Sequence, residues 1–243
     1  MAARVIMTAS GKGGTGKSTV SVFMAGCLAA RGRKVLLVEL DCGLRSIDYI
    51  AGVSGKTVYD IGDILSGRCE TGKAIVESPL YGGLYVVSAP YAGGEVRAEA
   101  LSAFVRSARE VFDDIVLDTA AGMGAPFLAA MAVCDMCVIV ITPDPVAMRD
   151  GRIVCDAVAA AGCENIRLVI NRVPRRAADA AVGDFDLCID TVGAQLLGVV
   201  PESAALAAAC ASGKGLAQAE PAHAVFRAIA ARLCGERVPL IVR

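Results

Sequence analysis

Seven short apolar runs recur along the chain: Val5-Ile6-Met7, Val35-Leu36-Leu37-Val38, Leu84-Tyr85-Val86-Val87, Ile115-Val116-Leu117, Val138-Ile139-Val140-Ile141, Leu168-Val169-Ile170 and Leu197-Gly198-Val199-Val200. They are rich in Val, Ile and Leu and do not alternate with polar residues. Continuous hydrophobicity of this kind marks strands covered on both faces, as in a parallel sheet between helices. Helical segments separate them: Lys17 to Arg31, Val96 to Val111, Pro145 to Ala161, Ser203 to Ala211 and Pro221 to Cys234. Gly32 and Gly235 stand where the first and last of these should stop. The pattern predicts an α/β architecture, a mostly parallel sheet of about seven strands with helices on both faces. No linker, low-complexity tract or internal repeat interrupts the sequence, so residues 1–243 read as one domain.

Composition narrows the classes. With 55% hydrophobic residues the chain is too apolar to remain disordered. Its mean hydropathy of +0.57 raises the question of a membrane span. The uncharged stretches of 17 residues between Glu77 and Glu95 and of 16 between Asp118 and Asp135 are both broken by Gly and Pro, the second by Gly122, Gly124 and Pro126. A spanning helix needs roughly 20 clean apolar residues, so none is expected. A net charge of −1 excludes a strong global attraction to nucleic acid or anionic lipid. Met1-Ala2-Ala3-Arg4 followed directly by a strand is not expected to act as a secretion signal. The ten Cys therefore read as reduced thiols of a cytoplasmic protein. Cys134 and Cys137 have C-x-x-C spacing, but no second pair accompanies them and the sole His, His223, is remote. Packing, not metal binding, is the expected use of these thiols.

Chemistry enters after the first strand, at Gly11-Lys12-Gly13-Gly14-Thr15-Gly16-Lys17-Ser18-Thr19. This fits G-x-x-x-x-G-K-[ST] in its required strand–loop–helix setting. Glycines let successive N–H groups turn inward around phosphate oxygens, assisted by the helix N-terminus. Lys17 should reach the β- and γ-phosphates, and the Ser18 hydroxyl should ligate Mg²⁺. Only six of the 24 basic residues are Lys, and two of the six lie in this loop. A compact ammonium suits a phosphate cradle better than the planar fork of Arg. Lys12 taken alone could equally be a solvated loop charge. Asp118 closes the apolar strand Asp114-Ile115-Val116-Leu117 in the Walker B manner, where a carboxylate holds Mg²⁺ through water, although an ordinary strand-end Asp looks the same.

The doubled lysine resembles the deviant Walker A motif of the MinD/ParA family of P-loop ATPases, and its MinD branch in particular. Asp41-Cys42-Gly43-Leu44-Arg45-Ser46-Ile47-Asp48 is similar to that branch's first switch, D-x-G-L-R-N-L-D. Thr57 to Asp60, Leu84 to Pro90, Asp118 to Gly122, Arg149-Asp150 and Leu197 to Glu202 extend the likeness to about Arg237. The resemblance implies a single P-loop NTPase domain that binds ATP and Mg²⁺ and hydrolyses ATP. It implies that Lys12 reaches the nucleotide of a second subunit. Asp41 would orient the attacking water and meet the Mg²⁺ shell. Asn171 would bond adenine, with Pro201 and Glu202 against the purine through backbone groups, while a turn-forming Asn171 stays open.

The resemblance further implies an ATP-dependent homodimer that separates on hydrolysis to ADP, acting in spatial positioning such as division-site selection. A partner of the MinC or MinE kind would act as effector or activator. Three departures stand out. Ala120 replaces the Pro of D-x-P-A-G, and Glu39 stands where MinD commonly has Asp. The tail Val238 to Arg243 carries one basic residue, too little for the membrane-binding helix of MinD. Direct membrane contact is therefore not expected, and any place at the inner membrane would come through a partner. Other classes fit less well. A ParA-type DNA-binding ATPase would read D-P-Q at the first switch, and nonspecific DNA has only Arg172, Arg175 and Arg176 as a basic cluster. An iron–sulfur ATPase of the nitrogenase iron-protein type needs cysteines that Ser88 to Arg97 and Thr119 to Met131 lack. A small-molecule ligase of the dethiobiotin synthetase type would not carry this switch sequence.

Overall fold

The computed structural model describes residues 3–43, 45–91, 96–174, 185–213, 215–216 and 219–241. Leu44 of the switch motif, Arg175, Arg176 and the last two tail residues lie outside them. In chain order the elements are β1 (Arg4–Ala9), α1 (Lys17–Ala29), β2 (Val35–Glu39), α2 (Ser46–Ile50), α3 (Ile61–Leu65) and α4 (Thr71–Ala74). Then come β3 (Val76–Glu77), β4 (Leu84–Val87), α5 (Ala98–Ala108), β5 (Asp114–Asp118), α6 (Ala125–Met131) and β6 (Met136–Ile141). The chain continues through α7 (Pro145–Ala160), β7 (Ile166–Val173), α8 (Phe185–Val192), β8 (Gln195–Pro201), α9 (Ala204–Ser212) and α10 (Ala222–Leu233).

All seven apolar runs are strands. An eighth, the two-residue β3, adds antiparallel to β4 at one edge, so the sheet order is β3-β4-β2-β5-β1-β6-β7-β8 with every other pair parallel. Side chains alternate between two cores. Val5, Met7 and Ala9 of β1 point into one with α5, α6, α7 and α8, while Ile6 joins the other with α1, α2, α9 and α10. This double coverage is why the strand sequences are apolar throughout.

Helix α1 is the most enclosed helix flanking the site, with nearly every residue from Val20 to Ala29 buried. Phe23 meets Phe226 of α10 edge-on at 5.5 Å between ring centres, which fixes α1 between the sheet and α10. The first turn of α1 is thereby held rigidly against the C-terminal ends of β1 and β5. In register, Thr8 and Glu39 both stand opposite Asp118, so three strand ends converge where β1 turns into α1. Open α/β sheets bind ligands at such carboxyl ends.

Candidate functional site

The loop from Gly11 to Gly16 wraps the N-terminus of α1. Gly16 occupies the Ncap position with φ +85°, where a side chain would be strained, and a Cβ on it would fall 2.3 Å from Asn171 Nδ2. On the open side, a Cβ on Gly13 or Gly14 would meet nothing within 4 Å. The amides of Lys12 to Gly16 donate to no other described residue, and α1 has no side-chain cap. Thr15 Oγ1 is buried without a hydrogen-bond partner. A ring of uncommitted donors ahead of a helix N-terminus suits an anion such as a phosphate chain.

Beneath the loop lies a polar knot. Asp118 is fully buried, and Lys17 Nζ stands 3.0 Å from its Oδ1. Ser18 Oγ donates to Oδ2 at 2.7 Å. Ser21 Oγ donates to Oδ1 at 2.6 Å, and Thr8 Oγ1 lies 3.1 Å from the same oxygen. The structure thus brings Lys17, Ser18 and Asp118 together. Ser21 and Thr8 escaped sequence reasoning, because nothing in their spacing connects them to Asp118.

Asp41 follows the end of β2 and is half-buried. Burial raises its carboxyl above the usual range, with Lys17 opposing and Asp118 adding to the rise. Glu39 is 1% exposed and accepts from the amides of Ile47 at 3.2 Å and Ala89 at 3.4 Å. Burial pushes it up to about 7, with the Ile47 amide lowering it and the charges of Asp118 and Asp48 raising it. The hard oxygen donors of Ser18, Asp41 and Asp118 are of the kind Mg²⁺ takes.

Lys12 stands apart from this knot. Its Nζ lies 3.3 Å from Asp144 Oδ1, and both side chains remain substantially exposed at 43% and 37%. Asp144 caps α7, accepting from Ala147 N at 3.0 Å and from Thr142 Oγ1 at 2.6 Å. Burial works against it, but hydrogen bonds from Thr142, Ala147 and Lys12 hold its carboxyl below the usual range.

The opposite end of the site is a cavity of about 550 Å³. Asn171, Arg172, Pro201 and Glu202 line it, together with Tyr49 of α2 and Cys210 of α9. Asn171 is buried, and its Nδ2 donates to the Thr15 carbonyl at 2.7 Å, which ties the cavity to the glycine loop. Among the described residues, one amide hydrogen and the Oδ1 acceptor of Asn171 stay uncommitted. Glu202 N donates to Val173 O at 2.7 Å, so that amide is already engaged. The α2 wall of the cavity was not foreseen from sequence.

The family model of the CobQ/CobB/MinD/ParA nucleotide-binding domain matches residues 6–216. The chain belongs to this family. Within the MinD/ParA group, it is 32% identical to septum site-determining protein MinD of Bacillus subtilis over 98% of this chain and 91% of that protein. MinD of Synechocystis is 30% identical, with 98% and 92% covered. A chain of the MinC:MinD cell division complex of Aquifex aeolicus superposes with a TM-score of 0.91 at 30% identity, covering 98% of this chain and 99% of that one. The glycine loop and the Lys17–Asp118 knot both lie within the matched residues.

Elsewhere, Cys137 is fully buried and its thiol is pushed well up by burial, while Cys134 is pushed to about 12 by burial and the neighbouring Cys163. Among the described residues no group of three or more His, Cys, Asp or Glu is placed to hold a metal ion. No helix among them is long and apolar enough to cross a membrane.

Proposed function

We propose that the chain is a MinD-like ATPase whose bound nucleotide controls association with a second copy of itself. The observation that carries this reading is the contrast between two lysines of one loop. Lys17 is buried against Asp118, while Lys12 is held by one exposed contact to Asp144. An exposed pair of that kind is worth little and is readily exchanged for a better anion. ATP would lie with its phosphates on the amides of residues 13–18 and its base in the cavity of Asn171, Pro201 and Glu202. Mg²⁺ would be held by Ser18, with Asp118 and Asp41 around it, and would supply charge neutralisation at the phosphates. Asp41 orients the attacking water beside the γ-phosphate, and phosphoryl transfer asks mainly for such positioning. Lys12 then leaves Asp144 for the phosphates bound by the partner copy. The γ-phosphate distinguishes the two states, as a nucleotide switch requires.

The similarity to septum site-determining proteins, and to a chain solved in complex with MinC, supports a role in cellular positioning with a protein effector or activator of the MinC or MinE kind. The test is light scattering on a sizing column with Asp41→Ala loaded with Mg-ATP and then Mg-ADP. A dimer with ATP alone, lost on adding Lys12→Ala, is the expected result. A monomer with both nucleotides would overturn the switch.

A further inference from the structure

Glu39 has no part in the phosphate cradle or the base cavity among its hydrogen bonds. It ends β2 in register with Asp118, is almost fully buried, and lies two residues before Asp41. Its two oxygens take different amides. Oε1 accepts from Ile47, in the first turn of α2, and Oε2 accepts from Ala89, just past β4. The chain therefore leaves the sheet at Glu39, passes Asp41, and returns at Ile47 to the side chain of Glu39 itself.

A second set of contacts closes the same loop from the far side. The Gly43 amide donates to the Pro90 carbonyl at 3.1 Å. Arg45 pairs with Asp48 at 2.8 Å and lies over the Tyr91 ring at 4.2 Å, while Ser88 donates to Asp48. The loop bearing Asp41 is thus framed by residues 88–91, and the Glu39 carboxylate bonds the backbone of both α2 and that segment. Burying a carboxylate to satisfy two backbone amides is costly compared with an apolar residue of similar size. An Asp at this position would be one methylene shorter, which would draw its carboxylate back from both amides at the same backbone position.

We propose that Glu39 is a positioning residue for hydrolysis: by bridging the Ile47 and Ala89 amides it fixes the path of the loop that aims Asp41 at the γ-phosphate. This rests on the ATPase reading. It separates two functions that are adjacent in space, because the glycine loop and Asn171 make no contact with Glu39 among its hydrogen bonds. Loss of the bridge should therefore slow chemistry and spare nucleotide affinity.

The experiment compares wild type, Glu39→Gln and Glu39→Asp, each alone and with Asp41→Ala. Single-turnover hydrolysis of radiolabelled ATP and equilibrium ATP binding are measured side by side, with hydrogen exchange at Ile47 and Ala89 in the nucleotide-free chain. Both substitutions should lower the hydrolysis rate by about 10- to 100-fold, the scale of a small misplacement of a catalytic group. ATP affinity should stay within about twofold, and the two amides should exchange faster. In the Asp41→Ala background neither substitution should lower the rate further. A rate close to wild type for either variant would overturn the proposal, as would a loss of affinity matching the loss of rate, or the same fractional loss without Asp41. Should Glu39→Gln fail to fold, Glu39→Asp alone decides. A wild-type chain that binds ATP and never hydrolyses it would overturn the parent reading too, and the wild-type arm reports that separately.

Discussion

Two lysines five positions apart on one loop have opposite surroundings. Lys17 is 6% exposed and faces a carboxylate that also receives Ser18, Ser21 and Thr8, whereas Lys12 is 43% exposed and has one partner among the described residues. The distances, 3.0 and 3.3 Å, hardly differ. Burial and the number of supporting hydrogen bonds do. A buried, fully bonded charge pair is expensive to break, and an exposed one exchanges easily. One loop thereby holds a fixed cation and a releasable one.

The sharpest way to break this comparison is to remove the carboxylate beneath the fixed cation. Asp118→Ala leaves Lys17 buried and unpaired and strands the hydroxyls of Ser18 and Ser21. Urea unfolding should show a loss of about 3 to 5 kcal/mol. A loss below about 1 kcal/mol would mean that water reaches Lys17 and the two lysines are less different than their exposures indicate.

Acid titration sharpens the comparison from the side of Glu39, the third acid at these strand ends. Its value of about 7 in the folded chain lies above the ordinary 4.5. The folded state holds this proton more tightly than the unfolded chain. The Glu39 contribution to stability is therefore fully present below about 4.5 and declines as pH rises through about 7. The decline should be on the order of 3 kcal/mol in the nucleotide-free chain. Glu39→Gln should flatten that part of the pH–stability curve. An identical slope in both proteins would show that Glu39 is solvated in a way its 1% exposure does not suggest.

A smaller loss is expected from the hydroxyls around the fixed cation. Ser21→Ala removes one charge-assisted bond to Asp118 and should cost about 1.5 to 3 kcal/mol in urea unfolding. No measurable cost would mean that Asp118 is satisfied by Lys17 and Ser18 alone.

How much of this was visible in the sequence depends on how far apart the cooperating residues lie. The seven core strands announced themselves because each is buried on both faces, and the glycine loop because all its parts are contiguous. β3 did not, since two residues carry no periodicity and Glu77 is exposed. The five-residue α2 and α3 are likewise too short for a helical repeat, although Asp60 and Asp63 form a capping box that could have marked the start of α3. In the site, Ser21 and Thr8 reach Asp118 across 97 and 110 residues, a relation that the seating of α1 and the β1–β5 pairing create. The resemblance singled out Glu39, but its two amide partners come from α2 and from the segment beyond β4. The division between Lys12 and Lys17 was legible only as a doubled lysine. Their different burial arises because α1 carries Lys17 against the C-terminal ends of β1 and β5 while Lys12 sits out on the loop.

The smallest expected change in stability tests the other half of the comparison. Lys12→Ala removes one exposed contact, and Asp144 keeps its bonds from Thr142 and Ala147. Unfolding free energy should move by less than about 0.5 kcal/mol. The same substitution in Asp41→Ala should abolish the ATP-dependent dimer. Near-zero cost to the fold combined with full loss of association is what a releasable cation predicts. A destabilisation above about 1 kcal/mol would instead make Lys12 part of the folded frame, since a residue needed to hold α7 in place could not also be free to leave it for a partner's phosphates.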